Sequence, residues 1–258
     1  MKAYTGGDPD DKVKNDSSAE RSLVVSVEYG TDRASYRRKL LNQNNPYYAP
    51  SLLYQAPSGF YSDISAYHLI SPVSRWDEMD LNAGWDFHLS KKVISSVDYT
   101  HYSYGSQSMQ SRTALKNNFE LSLKCNNPVL TPKVYFDYLF GSSTHDASLT
   151  LEVSHEFKSK GFFNSDDSLY FTPGIYLTAG TFNSLSSTTS KSSKKKNNKE
   201  TTSAFEPTGI QLSLPLEYDI GSFIITPAFY YSIPFNQSKK YNAASTSYFA
   251  ISVGYEFL

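Results

Sequence analysis

Residues 79–89 read Met79-Asp80-Leu81-Asn82-Ala83-Gly84-Trp85-Asp86-Phe87-His88-Leu89. Their period is two. In an extended strand successive side chains point to opposite faces, so Met79, Leu81, Ala83, Trp85, Phe87 and Leu89 form one continuous apolar face. Asp80, Asn82, Gly84, Asp86 and His88 form the other. Carboxylates and an amide without partners are costly in a dry core, so this second face needs water or hydrogen-bonding company.

The same alternation recurs along the chain. Phe119, Leu121 and Leu123 alternate with Glu120, Ser122 and Lys124. Leu149, Leu151, Val153 and Phe157 alternate with Thr150, Glu152, Ser154 and Glu156. Ile210, Leu212, Leu214 and Leu216 alternate with Gln211, Ser213 and Glu217, and Phe249, Ile251, Val253, Tyr255 and Phe257 with Ala250, Ser252, Gly254 and Glu256. The pattern predicts twelve strands, at 23–29, 47–55, 60–70, 78–89, 93–104, 115–125, 130–140, 147–157, 169–180, 208–218, 223–233 and 247–258. Most approach the about 9–11 residues that a tilted strand needs to cross a bilayer.

Short connections with turn residues alternate with longer ones. Pro57-Ser58-Gly59, Ser90-Lys91-Lys92, Asn126-Asn127-Pro128 and Asp219-Ile220-Gly221-Ser222 are short; 30–46, 71–77, 105–114, 181–207 and 234–246 are longer. The link at 158–168 is long for its place and that at 141–146 short. Short turns on one rim and long loops on the other is the layout of a transmembrane barrel, and an even strand count puts both termini on the short-turn, periplasmic side. Pro50, Pro173, Pro215 and Pro227 fall inside predicted strands and predict local breaks in pairing, because each lacks a ladder donor.

Composition removes several alternatives. The 258 residues carry a formal net charge of −1 and one cysteine, with a mean hydropathy of −0.45. One cysteine excludes a disulfide framework, and the scattered His68, His88, His145 and His155 lack metal-ligand spacing. Near-zero charge and the absence of a Gly-rich phosphate loop argue against nucleic acid and nucleotide; no cofactor is expected. No run of about 18 apolar residues forms a membrane helix. Nothing helical remains to cover the apolar strand faces, so lipid is expected to cover them, with closure satisfying the strand edges. The alternative is a soluble β-sandwich or lipocalin-like barrel. The fold expected is all-β, an antiparallel up-and-down transmembrane barrel of about twelve strands, bracketed by ten and fourteen. Tyr47, Tyr48, Phe60, Tyr61, Tyr99, Tyr102, Tyr104, Tyr230 and Tyr231 lie near strand ends, where interfacial girdles lie.

The chain divides into a flexible periplasmic tail at 1–21 and a barrel at 22–258. The tail lacks the apolar core of a secretory signal, so export to a bacterial outer membrane requires a signal removed upstream of Met1.

The last strand, Tyr248-Phe249-Ala250-Ile251-Ser252-Val253-Gly254-Tyr255-Glu256-Phe257, resembles the C-terminal β-signal of bacterial outer-membrane proteins, with Leu258 where an aromatic residue is usual. The resemblance implies the barrel-assembly machinery as a partner during insertion. Residues 23–105 are similar to TorF-type porins through Tyr54-Gln55-Ala56-Pro57-Ser58-Gly59-Phe60-Tyr61, Met79-Asp80-Leu81-Asn82-Ala83-Gly84-Trp85 and Val97-Asp98-Tyr99-Thr100-His101-Tyr102-Ser103-Tyr104. That likeness implies a porin-like barrel and leaves the solute open.

If the apolar faces meet lipid, the lumen receives Glu28, Asp63, Asp80, Asp86, Asp98, Glu120, Asp137, Glu152, Glu156, Glu217 and Glu256, against Lys116, Lys124 and Lys133. Other bases fall in loops: Arg33, Arg37, Arg38 and Lys39 in one, Lys191, Lys194, Lys195, Lys196 and Lys199 in another. The reading is a channel for small solutes with a cation-favouring lumen, since rings of carboxylates select cations. The alternative is a plugged structural or assembly-partner barrel in which lumen bases and infolded loop arginines neutralise the acids. The Lys191–Lys199 run reads as a solvated low-complexity loop, or as a contact for lipopolysaccharide phosphates.

His101-Tyr102-Ser103 places an imidazole and a hydroxyl on one outward strand face, with Asn117 expected beside them on the next strand. The pattern His101, Ser103, Gly105 and Asn117 resembles the exterior site of outer-membrane phospholipase A and lipid A deacylase, although Tyr104 stands where those families carry Asn. The resemblance implies a lipid-ester hydrolase with Ser103 as nucleophile, His101 as base and Asn117 as orienting group. A polar end to an interfacial girdle strand explains the same residues without catalysis. Cys125 is expected as a free thiol on the apolar face near a periplasmic turn.

Overall fold

The structure is a computed structural model that describes residues 21–32, 45–70, 74–106, 108, 115–142, 144–181, 183, 204–235 and 245–257. The tail at 1–20, Arg33, Arg37, Arg38, Lys39, the 191–199 lysines and Leu258 lie outside the described residues, and so does the expected contact with lipopolysaccharide.

Alternating sequence becomes strand after strand. The strands are β1 (Ser22–Gly30), β2 (Tyr47–Gln55), β3 (Phe60–Leu69), β4 (Arg75–His88), β5 (Val93–Tyr104), β6 (Leu115–Cys125) and β7 (Thr131–Gly141). They continue as β8 (His145–Ser154), β9 (Phe157–Lys160), β10 (Ser168–Phe171), β11 (Gly174–Gly180), β12 (Glu206–Ile220), β13 (Phe223–Pro234) and β14 (Thr246–Phe257). Every pairing is antiparallel, and β14 closes on β1 from Leu23↔Phe257 to Gly30↔Ala250.

The fourteen segments make a closed ring of twelve staves. Ser154 pairs Gly174 and Phe157 pairs Phe171, so β8 and β9 run in one unbroken register against β11 and β10. The interruption falls at 155–156 opposite Thr172-Pro173, because Pro173 has no N–H to give the ladder; its carbonyl still accepts from His155 N at 3.2 Å. Pro50 and Pro227 act alike. Pairing of β2 with β3 skips from Tyr48↔His68 to Ser51↔Ser65, and that of β12 with β13 from Pro215↔Ala228 to Tyr218↔Ile225.

The 158–168 link is not a plain loop, as its sequence suggested. β9 and β10 extend the stave pair past the neighbouring β7 and end in a tight turn at Gly161, whose φ is +68°. Asp167 ties that turn together. Its carboxylate accepts the backbone N–H of Phe162 at 2.7 Å, Phe163 at 2.8 Å and Asn164 at 2.9 Å, and the hydroxyl of Tyr218 at 2.7 Å. Burial pushes this carboxyl up, but the bonds from Tyr218 and from the N–H groups of Asn164, Phe163 and Phe162 outweigh it and bring its pKa to about 2.

The two faces separate cleanly. Val27, Leu121, Leu151 and Val253 are exposed on the outside, while Thr150, Asp137, Gln211 and Ser213 are buried on the inside. The apolar set is therefore outside, the reverse of a soluble barrel. Inside, two packed clusters occupy the long-loop half of one wall: Tyr47, Ala49, Tyr67 and Leu69, and Ala228, Tyr230, Tyr248 and Ala250. Tyr47, Tyr61, Tyr102 and Tyr230, expected in the lipid girdle, are thus interior residues. Alternation is the reason: in Tyr47-Tyr48, Phe60-Tyr61 and Tyr230-Tyr231 only one member of each doublet faces out. Tyr48, Tyr99 and Tyr231 remain exposed.

Candidate functional site

Two polar assemblies stand out, one inside the barrel and one outside. The inner one lies on β3 to β8. Asp98 on β5 is register-paired with Glu120 on β6, and Glu120 with Asp137 on β7. Three carboxylate residues therefore stand side by side on one inward row. Asp98 and Asp137 are buried, Asp137 completely, and Glu120 between them is half-buried.

Neutral donors hold the flanking pair. Asp98 accepts from the Tyr61 hydroxyl at 3.0 Å and from Asn82 Nδ2 at 3.1 Å; Asn82 Nδ2 also reaches Thr100 Oγ1 at 2.7 Å. Asp137 accepts from Asn118 Nδ2 at 3.1 Å and from Ser148 Oγ at 3.1 Å. Tyr61 spans from β3 to β5 only because Gly84 lies between them: a Cβ there would stand 2.4 Å from the Tyr61 ring and 2.6 Å from Asp98 Cβ. Gly30 repeats the device. Tyr47 lies over it and donates to Glu28 Oε1 at 2.5 Å.

The other sequence-selected acids are spread around the wall. Asp80 and Glu217 are buried on different staves, and Asp86 is exposed toward the short-turn rim. Asp63 accepts from Ser65 Oγ at 3.3 Å, Glu152 from the Tyr135 hydroxyl, and Glu256 from Ser22 Oγ at 2.6 Å. Nearer the short turns the row changes sign: Lys124 pairs Lys133, and Lys133 pairs Glu152. Lys133 Nζ lies 4.5 Å from the Tyr135 ring centroid. Among the described residues no group of three or more His, Cys, Asp or Glu is arranged to hold a metal ion. The tyrosine partners were missed because sequence periodicity assigns a face but not a reach across a neighbouring strand.

The outer assembly centres on His101 and Asn117, directly paired on β5 and β6. His101 Nδ1 lies 3.0 Å from Asn117 Oδ1, which also accepts from the Tyr99 hydroxyl at 2.6 Å. Asn117 Nδ2 donates to Phe140 O at 3.3 Å. With its amide nitrogen so engaged, Asn117 offers its oxygen to the imidazole, which assigns the proton to Nδ1 and leaves Nε2 as an acceptor. Ser103 sits two residues along the same strand, opposite Met79. No hydrogen bond joins Ser103 to His101 among the described residues. Cys125 is a free, half-buried thiol opposite Val93 near a short turn.

No family model matches the chain, and no curated protein matches it; the TorF-type resemblance gains nothing from either comparison. Solved structures do match. A structure described as "KdgM porin" is 10% identical, with a TM-score of 0.54 over 91% of this chain and 99% of that one. "KdgM porin in complex with disordered oligogalacturonate" is 11% identical, with a TM-score of 0.51 over 92% and 99%. A NanC porin structure is 9% identical, with a TM-score of 0.47 over 90% and 98%. At these identities the likeness is one of fold alone: the chain shares the β-barrel fold of the two KdgM structures.

Proposed function

We propose that the protein is a narrow porin-like channel of a bacterial outer membrane that passes small solutes and favours cations. The observation that carries this reading is the inward row Asp98, Glu120 and Asp137 on three consecutive staves. Carboxylates fixed around a low-dielectric passage attract cations and repel anions. The packed tyrosines of the opposite wall narrow the passage, in keeping with a twelve-stave barrel that lies between filled and wide aqueous barrels. The resemblance of the last strand to a C-terminal β-signal and the TorF-type likeness of residues 23–105 are compatible with this reading. Conductance of the purified barrel in planar bilayers, under a salt gradient, tests it. Discrete current steps with a cation-selective reversal potential are expected. Absence of steps, or an anion-selective potential, overturns it and favours a plugged structural barrel.

A second reading, a lipid-ester hydrolase, is favoured by one observation: the 3.0 Å contact of His101 Nδ1 with Asn117 on the exterior face. That contact leaves Nε2 as the base for a neighbouring hydroxyl, and Ser103 is the hydroxyl on the same face. Hydrolysis of phospholipid or lipid A esters by the wild type, abolished by Ser103→Ala, would establish it. No hydrolysis, or activity that survives Ser103→Ala, removes Ser103 as nucleophile.

A further inference from the structure

The β9–β10 hairpin carries the two-faced construction of the wall beyond the neighbouring stave. β7 begins at Thr131, opposite Ser154, and β9 continues past it to Lys160. The inner face of the hairpin is polar. Lys158 Nζ lies 4.9 Å from the centroid of the buried Tyr170 ring, and Tyr170 pairs Glu217. The outer face is aromatic. Phe157 stacks on Phe171 with ring centroids 6.1 Å apart, and His155 meets Phe157 edge-on at 4.3 Å. At the tip the rings of Phe162 and Phe163 stand nearly at right angles, 4.7 Å apart, and Phe163 meets the Tyr218 ring edge-on at 5.6 Å. Phe157 and Phe162 are 55% exposed and Phe163 is 73% exposed. Asp167 sets this arrangement, because its carboxylate binds the N–H groups of both tip phenylalanines and the hydroxyl of Tyr218.

The aromatic surface is continuous with the face that lipid covers. Tyr218 falls between Leu216 and Ile220 in the outward series of β12, and both of these are exposed. Leu216 pairs Phe171, which pairs Phe157. Height decides what covers the tip. Ala147 pairs the outward Tyr138, and Phe157 lies ten residues further on. That run is about 34 Å along a strand and, at a tilt near 40°, about 26 Å along the barrel axis, enough to fill the roughly 25 Å apolar band. Phe163 folds back onto Tyr218, which is level with Leu169 and Ser159, two residues past Phe157. Its ring therefore lies about 5 Å beyond the band, at the boundary of acyl chains and head groups, where amphipathic segments seat their apolar faces. We infer that the β9–β10 hairpin is an anchor in the phospholipid leaflet on the short-turn side. Phe157, Phe162 and Phe163 seat among the upper acyl chains and glycerol groups and fix the barrel at one point of its rim. The anchor rests on the membrane-barrel fold and not on the channel reading, and a plugged barrel would carry it equally.

Nanodiscs of phosphatidylethanolamine and phosphatidylglycerol, open on both faces, test it. Phe163→Trp in a Trp76→Phe, Trp85→Phe background carries the single tryptophan of the chain. Its emission is expected to be blue-shifted, strongly quenched by phospholipids brominated near the carbonyl end of the acyl chain, and weakly quenched by iodide. A second measurement leaves the native tryptophans in place. Trypsin cuts after Lys158 and Lys160, and Phe162→Ser combined with Phe163→Ser is expected to raise cleavage there several-fold in the discs, through the loss of two seated rings. Phe162→Leu combined with Phe163→Leu keeps the apolar surface and is expected to be cut like the wild type. A blue shift without bromine quenching means that a second copy of the chain covers the rings, and emission like that of tryptophan in water means that solvent does. Either result overturns the inference, as does unchanged cleavage in the double-serine variant.

Discussion

Tyr61 reaches over strand β4 to donate a 3.0 Å hydrogen bond to Asp98 on β5, and it passes through the space that Gly84 leaves empty. Tyr61 and Gly84 are direct register partners, so the ring lies flat on the glycine before its hydroxyl meets the carboxylate. The wall of the barrel is braced from inside at that point.

Substitution of Gly84 tests the brace. A Cβ at this position meets the Tyr61 ring at 2.4 Å, and neither the ring nor Asp98 Cβ can withdraw without losing the bond. Gly84→Val is expected to cost roughly 1–3 kcal/mol, the usual range for overpacking a filled site. Urea titration in lipid vesicles measures it. A companion Tyr61→Ala, which vacates the space, is expected to relieve part of the loss.

The turn at 161–167 carries a pH signature. The Asp167 pKa is lowered in the folded protein, so its contribution is fully present above the ordinary value of 3.8 and is lost as pH falls through about 2. Wild type and Asp167→Asn are therefore expected to differ in thermal stability at pH 5, and to converge between pH 4 and pH 2. Proteolysis within the turn follows the same order, with Asp167→Asn cut faster at neutral pH. An unchanged difference across that window removes Asp167 as the titrating group.

Outward placement of the apolar face predicts position-specific costs. Leu121 is exposed on the outer wall, next in sequence to the inward Glu120. Leu121→Arg is expected to destabilise the barrel by roughly 2–4 kcal/mol in a bilayer, the cost of a cation near the midplane. The same change in detergent, where the head group finds water, is expected to cost less.

Asn117 separates structural from catalytic roles on the exterior. It bonds His101, Tyr99 and the Phe140 carbonyl. Asn117→Ala is expected to lower stability by about 1 kcal/mol through those lost bonds. Ser103→Ala, which breaks no hydrogen bond among the described residues, is expected to leave stability unchanged. If both variants match the wild type in stability, the cluster does not brace β5 against β6.

Strand existence was readable because period two persists through most staves, from Met79–Leu89 to Phe249–Phe257. The twelve-stave count follows from that pattern and from the alternation of turns. Three features were not readable. Interior tyrosines hide in doublets such as Tyr47-Tyr48, where either member suits a girdle until register settles the face. The β9–β10 extension hides in Lys158-Ser159-Lys160, which has no apolar period, and its turn depends on one carboxylate gathering three N–H groups. The bonds of Asp98 depend on an empty glycine site one strand away, a relation no local pattern expresses. By contrast, the contact of His101 with Asn117 joins direct neighbours across one ladder, and neighbouring positions on a shared face are what periodicity describes.

The two glycines under tyrosines have a consequence for descent. Gly84 cannot gain a side chain while Tyr61 covers it, and Tyr61 cannot shrink without uncovering backbone and releasing Asp98. Gly30, Tyr47 and Glu28 are bound in the same way. Each set is constrained as a unit, so divergent relatives are expected to keep or replace its members together, as covarying positions across adjacent strands.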